Sequence, residues 1–121
     1  MVLFDANMIL RYLLNDNTLM AEKAESYLKS GNVIVTIEVI AEVVYVLKSV
    51  YSVERRKIAD TVRAFLAQVE CQEMNVLVCA LDTYGTRGLD FVDCVLYGYH
   101  IVEGFEIATF DKKLLKLMVE G

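Results

Sequence analysis

Apolar residues fall into two kinds of run along this chain. Val2 to Phe4 and Val33 to Val35 are short and continuous, the pattern of buried strands, and they end at Asp5 and Thr36. Elsewhere the apolar positions recur every three or four residues, which predicts helices with one buried face. Ile9, Leu10, Leu13 and Leu14 mark the first helix, which Asn15-Asp16-Asn17 interrupts; Thr18 is placed to cap a second helix that stops at Gly31. Thr36 caps a long helix to about Val50 and Ser52 another to about Val69. After a weak extended piece at Glu70 to Glu73, Asn75 caps a helix to Tyr84, and Gly85-Thr86-Arg87-Gly88 reads as a loop. The next helix starts near Asp90 and stops at Gly104, with Phe105 packing back over its last turn. Glu106 to Phe110 reads as a strand ending at Asp111, and Lys112 to Val119 as the final helix.

Strands alternating with helices predict an α/β fold whose mostly parallel central sheet is covered by helices on both faces. Sites in such sheets form at the carboxyl ends of strands. Asp5 and Asp111 both stand where a predicted strand runs out, which makes them the first functional clue.

The 121 residues suit one domain, read here as spanning residues 1–121. The longest apolar runs, such as Val43 to Leu47 and Val76 to Leu81, are too short to cross a bilayer, so no membrane span is expected. Met1-Val2-Leu3-Phe4-Asp5 lacks the basic and apolar pattern of an export signal, which makes the cytoplasm the expected address. Cys71, Cys79 and Cys94 sit within apolar patterns and form no CxxC pair, as expected of reduced, buried thiols. The net charge of −5 argues against a nucleic-acid partner unless metal neutralises part of it and local basic stretches face the substrate. Arg55-Arg56-Lys57 and Lys112, Lys113 and Lys116 are two such stretches. The abundance of apolar residues in so small a domain also predicts an oligomer or a tight complex.

Glu38 and Glu42 share a face of an otherwise apolar helix, with Glu38 in its first turn and Glu42 near its middle, so Glu42 is the better catalytic candidate. Asp90 and Asp93 are three apart at a helix start, where the ordinary reading is a cap and a favourable helix dipole. Their combination with Asp5 and Asp111 carries more weight than any one of them. Converging carboxylates repel unless protonated or bridged by cations. Mg²⁺ or Mn²⁺ suits an oxygen-only ligand set without His or Cys, and either ion can support phosphodiester hydrolysis.

Four segments together resemble the PIN domain, and within it the VapC-type toxins. They are Phe4 to Leu14 (FDANMILRYLL), Ile40 to Leu47 (IAEVVYVL), Leu89 to Leu96 (LDFVDCVL) and Glu106 to Leu114 (EIATFDKKL). The resemblance implies a metal-dependent endoribonuclease with Asp5, Glu42, Asp93 and Asp111 as metal ligands or water positioners. It also implies accessory polar roles for Asn7 and Thr109, and a supporting role for Asp90 beside the ligands. A homodimer and a cognate antitoxin whose tail reaches the active-site groove follow from the same likeness.

Arg11 and Lys112 each closely follow a site acid and are candidates for contact with RNA phosphates. The lone histidine, His100, and the tyrosines, including Tyr45, Tyr97 and Tyr99, read as packing residues. Two other functions remain open on sequence grounds. One is a non-catalytic RNA- or protein-binding module. The other is an aspartyl-phosphate phosphotransfer domain using Asp5, which the asparagine in Asp5-Ala6-Asn7 and the acid at Asp111 disfavour.

Overall fold

The computed structural model describes residues 1–120 as two short strands and seven helices, an α/β arrangement. Strand β1 (Val2–Leu3) pairs in parallel with β2 (Val33–Ile34), Val2 opposite Val33 and Leu3 opposite Ile34. Glu70 extends the ladder on the far side of β2 through a parallel bridge to Ile34, so the predicted extended piece is present there. The parallel register puts the carboxyl ends of β1 and β2 side by side. Helices α1 (Ala6–Leu14) and α3 (Ile37–Ser49) start from that common edge.

Between them runs α2 (Thr18–Lys29), which packs on α1. Helices α4 (Arg55–Leu66), α5 (Met74–Thr86) and α6 (Phe91–Glu103) follow, and α7 (Lys112–Glu120) closes the described chain. α5 packs against α4 and α6, α3 against α1, α4 and α6, and α7 against α6. The core they enclose includes Phe4, Ile9, Ile40, Val43, Ile58, Phe65, Leu77 and Leu81, all at most 1% exposed. Side chains of this size each contribute about 1.5–3 kcal/mol on full burial, which explains why such short strands hold their place. Among the described residues no helix is long and apolar enough to cross a membrane.

Several boundaries differ from the sequence expectation. Asn17, not Thr18, caps α2, its side chain accepting from Met20 N at 3.1 Å. Ser52 does not cap α4: it takes a left-handed conformation (φ 54°) in the turn before Glu54, where that helix begins. α5 starts ahead of Asn75 and continues through Gly85 and Thr86, which leaves Arg87 to Asp90 as the connection.

The largest correction concerns residues 106–110, which form no strand. Ile107 and Thr109 are half-buried and alternate with exposed Glu106, Ala108 and Phe110, so the period-two pattern is present. No backbone hydrogen bond joins this segment to β1, whose described ladder bonds go to the β2 side, Val2 N to Asn32 O and Phe4 N to Ile34 O. A strand requires a partner as well as a pattern. The sheet is therefore smaller than the expected central sheet.

The carboxyl-terminal signals of α6 behave as expected. Gly104 adopts φ 74°, its N–H donates to His100 O, and Phe105 stacks on Tyr99 with ring centroids 6.0 Å apart. His100 Nδ1 donates to Phe105 O at 2.8 Å, a packing role for the lone histidine. Cys94 is fully buried, whereas Cys71 and Cys79 are only partly so. Burial pushes the Cys94 thiol up to about 12. At about pH 8 it therefore holds almost no thiolate, the reactive form. Iodoacetamide should leave Cys94 unmodified in the folded protein under conditions that alkylate it after denaturation, as read by peptide mass spectrometry.

Candidate active site

The chain leaves β1 in extended conformation at Asp5 (φ −88°, ψ 175°) and enters α1 immediately. Asp5 thereby becomes the helix cap, with Oδ1 accepting from Met8 N at 2.8 Å. Asp111 does the same for α7, its Oδ1 accepting from Leu114 N at 2.9 Å. Thr109 fixes that turn further, since its Oγ1 accepts from Asp111 N at 3.0 Å. Both aspartates are exposed, and the other oxygen of each has no protein partner among the described residues. The capping and functional readings are thus compatible: the cap orients each carboxylate with one oxygen and leaves the second for a ligand.

Asp93 lies in the first turn of α6 and is half-buried. Partial burial raises its carboxyl above the ordinary value, and the charges of Asp111 and Asp90 raise it further. The loss of the expected strand does not remove Asp111 from the site, because its charge still acts on Asp93. Asp90 is the cap residue of α6 by backbone, but its exposed side chain makes no capping hydrogen bond and is free for other contacts.

Glu42 is exposed on α3, opposite the buried face formed by Ile40, Val43, Val44 and Leu47. Glu38, one turn earlier, bears on a different feature: together with Glu73 it raises the Tyr99 hydroxyl to about 12, chiefly through the hydrogen bond that Tyr99 donates to Glu73. Asn7 is exposed in the first turn of α1, and Lys112 is exposed at the start of α7. Arg11 has its own partners: Nη1 contacts Asp16 at 2.8 Å and Nη2 donates to Tyr51 Oη at 3.3 Å. A phosphate at Arg11 would have to compete with Asp16.

Among the described residues, no three His, Cys, Asp or Glu side chains already converge as a metal cage. The residues nonetheless fit a hard divalent ion. Mg²⁺ is commonly bound through one or two carboxylates and keeps several waters. Here the partial burial of Asp93 and the charges of Asp111 and Asp90 on it, with a free oxygen on Asp111, form the charge arrangement that such an ion relieves.

Sequence reasoning missed Arg55. Its guanidinium lies 3.8 Å from the centroid of the Tyr84 ring and donates through Nε to Tyr84 O at 3.0 Å and through Nη2 to Leu89 O. In sequence it read only as part of a basic run, and nothing local signals a contact with residues about thirty positions away.

No curated protein and no solved structure matches the chain. A family model for the PIN domain matches residues 2–119 of the 121, and the chain belongs to the PIN domain family, whose members are generally nucleases.

Proposed function

We propose that the chain is a metal-dependent endoribonuclease in which Asp5, Glu42, Asp93 and Asp111 form the catalytic, metal-holding set. The observation that carries the reading is the position of Asp93, half-buried in the first turn of α6, where burial and then the charges of Asp111 and Asp90 oppose its ionisation. Stability alone gives no reason to place such charges together, whereas a cation-binding site does.

In this reading Asp5, Glu42, Asp93 and Asp111 would hold the ion or position its water. Thr109 keeps the Asp111 turn in place, and Asn7 and Asp90 supply hydrogen bonds around the ligands. Lys112 contacts substrate phosphate, and Arg11 does so after exchange with Asp16. Mg²⁺ or Mn²⁺ held there would supply the Lewis acidity that phosphodiester hydrolysis needs at neutral pH. No Ser, Cys or His nucleophile is required. The likeness to VapC-type toxins extends the proposal to a cytoplasmic toxin that acts as a homodimer and is silenced by an antitoxin.

The test is incubation of a mixed RNA pool with purified protein in Mg²⁺ or Mn²⁺, against EDTA and against Asp5→Asn. Cutting that requires metal and is lost in the variant is expected. A folded, partner-free protein that cuts in neither metal is instead a binding module. Acid-stable phosphorylation at Asp5 would contradict both.

A further inference from the structure

A cleft of about 460 Å³ runs between α3 and α6, and Tyr45, Lys48, Arg55, Tyr84, Asp90 and Asp93 contribute to its wall. It lies within the usual size range of small-ligand pockets. Asp93, one of the four proposed catalytic acids, and its neighbour Asp90 line it, so an occupant lies against part of the proposed reaction centre.

Three features of this wall point to a nucleotide. Tyr45 is 68% exposed, and on α3 it follows Glu42 by three residues and precedes Lys48 by three. That spacing runs acid, aromatic ring and cation along neighbouring turns of the helix, leading away from the carboxylates. Arg55 is half-buried and held flat on Tyr84 by two backbone carbonyls. Among the described residues it has no carboxylate within ion-pair distance, and its Nη1 has no protein partner. A fixed cation with no carboxylate within ion-pair distance and an exposed ring lining the same cleft offer both groups a nucleotide needs. Aromatic faces stack unpaired bases, and cations meet phosphate.

We infer that this cleft is a single-stranded RNA subsite next to the cut position: one base stacks on Tyr45, and the adjoining phosphate is met by Lys48 and Arg55. The inference rests on the nuclease reading above and assigns where its substrate lies. Because stacking tolerates any base, the subsite selects unpaired RNA rather than a sequence.

The test measures fluorescence anisotropy of a labelled single-stranded RNA of about ten nucleotides. Wild type, Tyr45→Ala, Tyr45→Phe and Lys48→Gln are titrated in Ca²⁺, with light scattering on each protein. Loss of the Tyr45 ring should weaken binding about tenfold, while Tyr45→Phe stays within about twofold because it keeps the stacking face. Lys48→Gln should reduce the slope of log affinity against log salt by about 0.7. Unchanged affinity in Tyr45→Ala, or equal loss in Tyr45→Phe, overturns the inference. A change from dimer to monomer that accompanies weakened binding in Tyr45→Ala also overturns it, and assigns the face to a second copy of the chain. Wild type that binds this RNA through Tyr45 but never cuts it in Mn²⁺ contradicts the nuclease reading alone.

Discussion

Asp93→Asn should abolish most RNA cleavage while making the protein more stable. Removal of one preorganised electrostatic group commonly lowers turnover by roughly 10²–10³-fold, and that is the loss expected in a cleavage assay at saturating Mn²⁺. The gain in stability follows from the sign of the titration shift. Burial and the charges of Asp111 and Asp90 raise the Asp93 carboxyl in the folded state. The fold therefore binds that proton more readily than the unfolded chain, and its stability falls as pH rises through the folded-state titration. At neutral pH the ionised Asp93 is a penalty, which the neutral amide relieves. A higher melting temperature than wild type at pH 7 is expected without metal. The difference should shrink on acidification. A residue serving only as a favourable first-turn acid would behave in the opposite way, since its loss would lower stability.

Gly98→Val should cost about 2–3 kcal/mol, an overpacking effect at the upper end of the usual range. In isolation the change would favour α6, because glycine is a poor helix former. The packing against α5 reverses that sign. A Cβ at position 98 would sit 2.8 Å from the Val76 carbonyl oxygen and 3.2 Å from Val76 Cγ1. The first contact is with backbone, which cannot move aside as a flexible side chain would. The two branches of valine add further bulk to an interface where Val76 and Cys94 are already buried. A fall in melting temperature of about 10 °C is expected by calorimetry. Because α6 also carries Asp93, any protein that remains folded should lose cleavage as well.

Local signals were legible in the sequence where the structure itself is local. Thr36 caps α3 and Gly104 ends α6, since each acts on groups within a few residues. Asn17 and Thr18 are both competent caps, and the choice between them depends on where the chain turns after α1. The segment 106–110 shows the limit: its alternation is that of a strand, but the hydrogen bonds must come from a distant partner, and the described bonds of β1 go to β2.

The site divides in the same way. Asp5 and Asp111 were visible as acids at element ends, and both proved to be caps with an oxygen to spare. Asp93 was visible as a first-turn acid, but the field that Asp111 exerts on it emerges only from the packing of α6 and α7. Arg55 on Tyr84 joins residues 29 positions apart through a backbone carbonyl. No run of neighbouring residues encodes that contact.

The central claim is that these acids hold a divalent ion as a unit, and Mn²⁺ binding followed by electron paramagnetic resonance tests it without any substrate. Wild type should remove free Mn²⁺ signal on titration, and Asp5→Asn, Asp93→Asn and Asp111→Asn should each weaken binding by about tenfold or more. Equal Mn²⁺ affinity in wild type and all three variants would contradict the account.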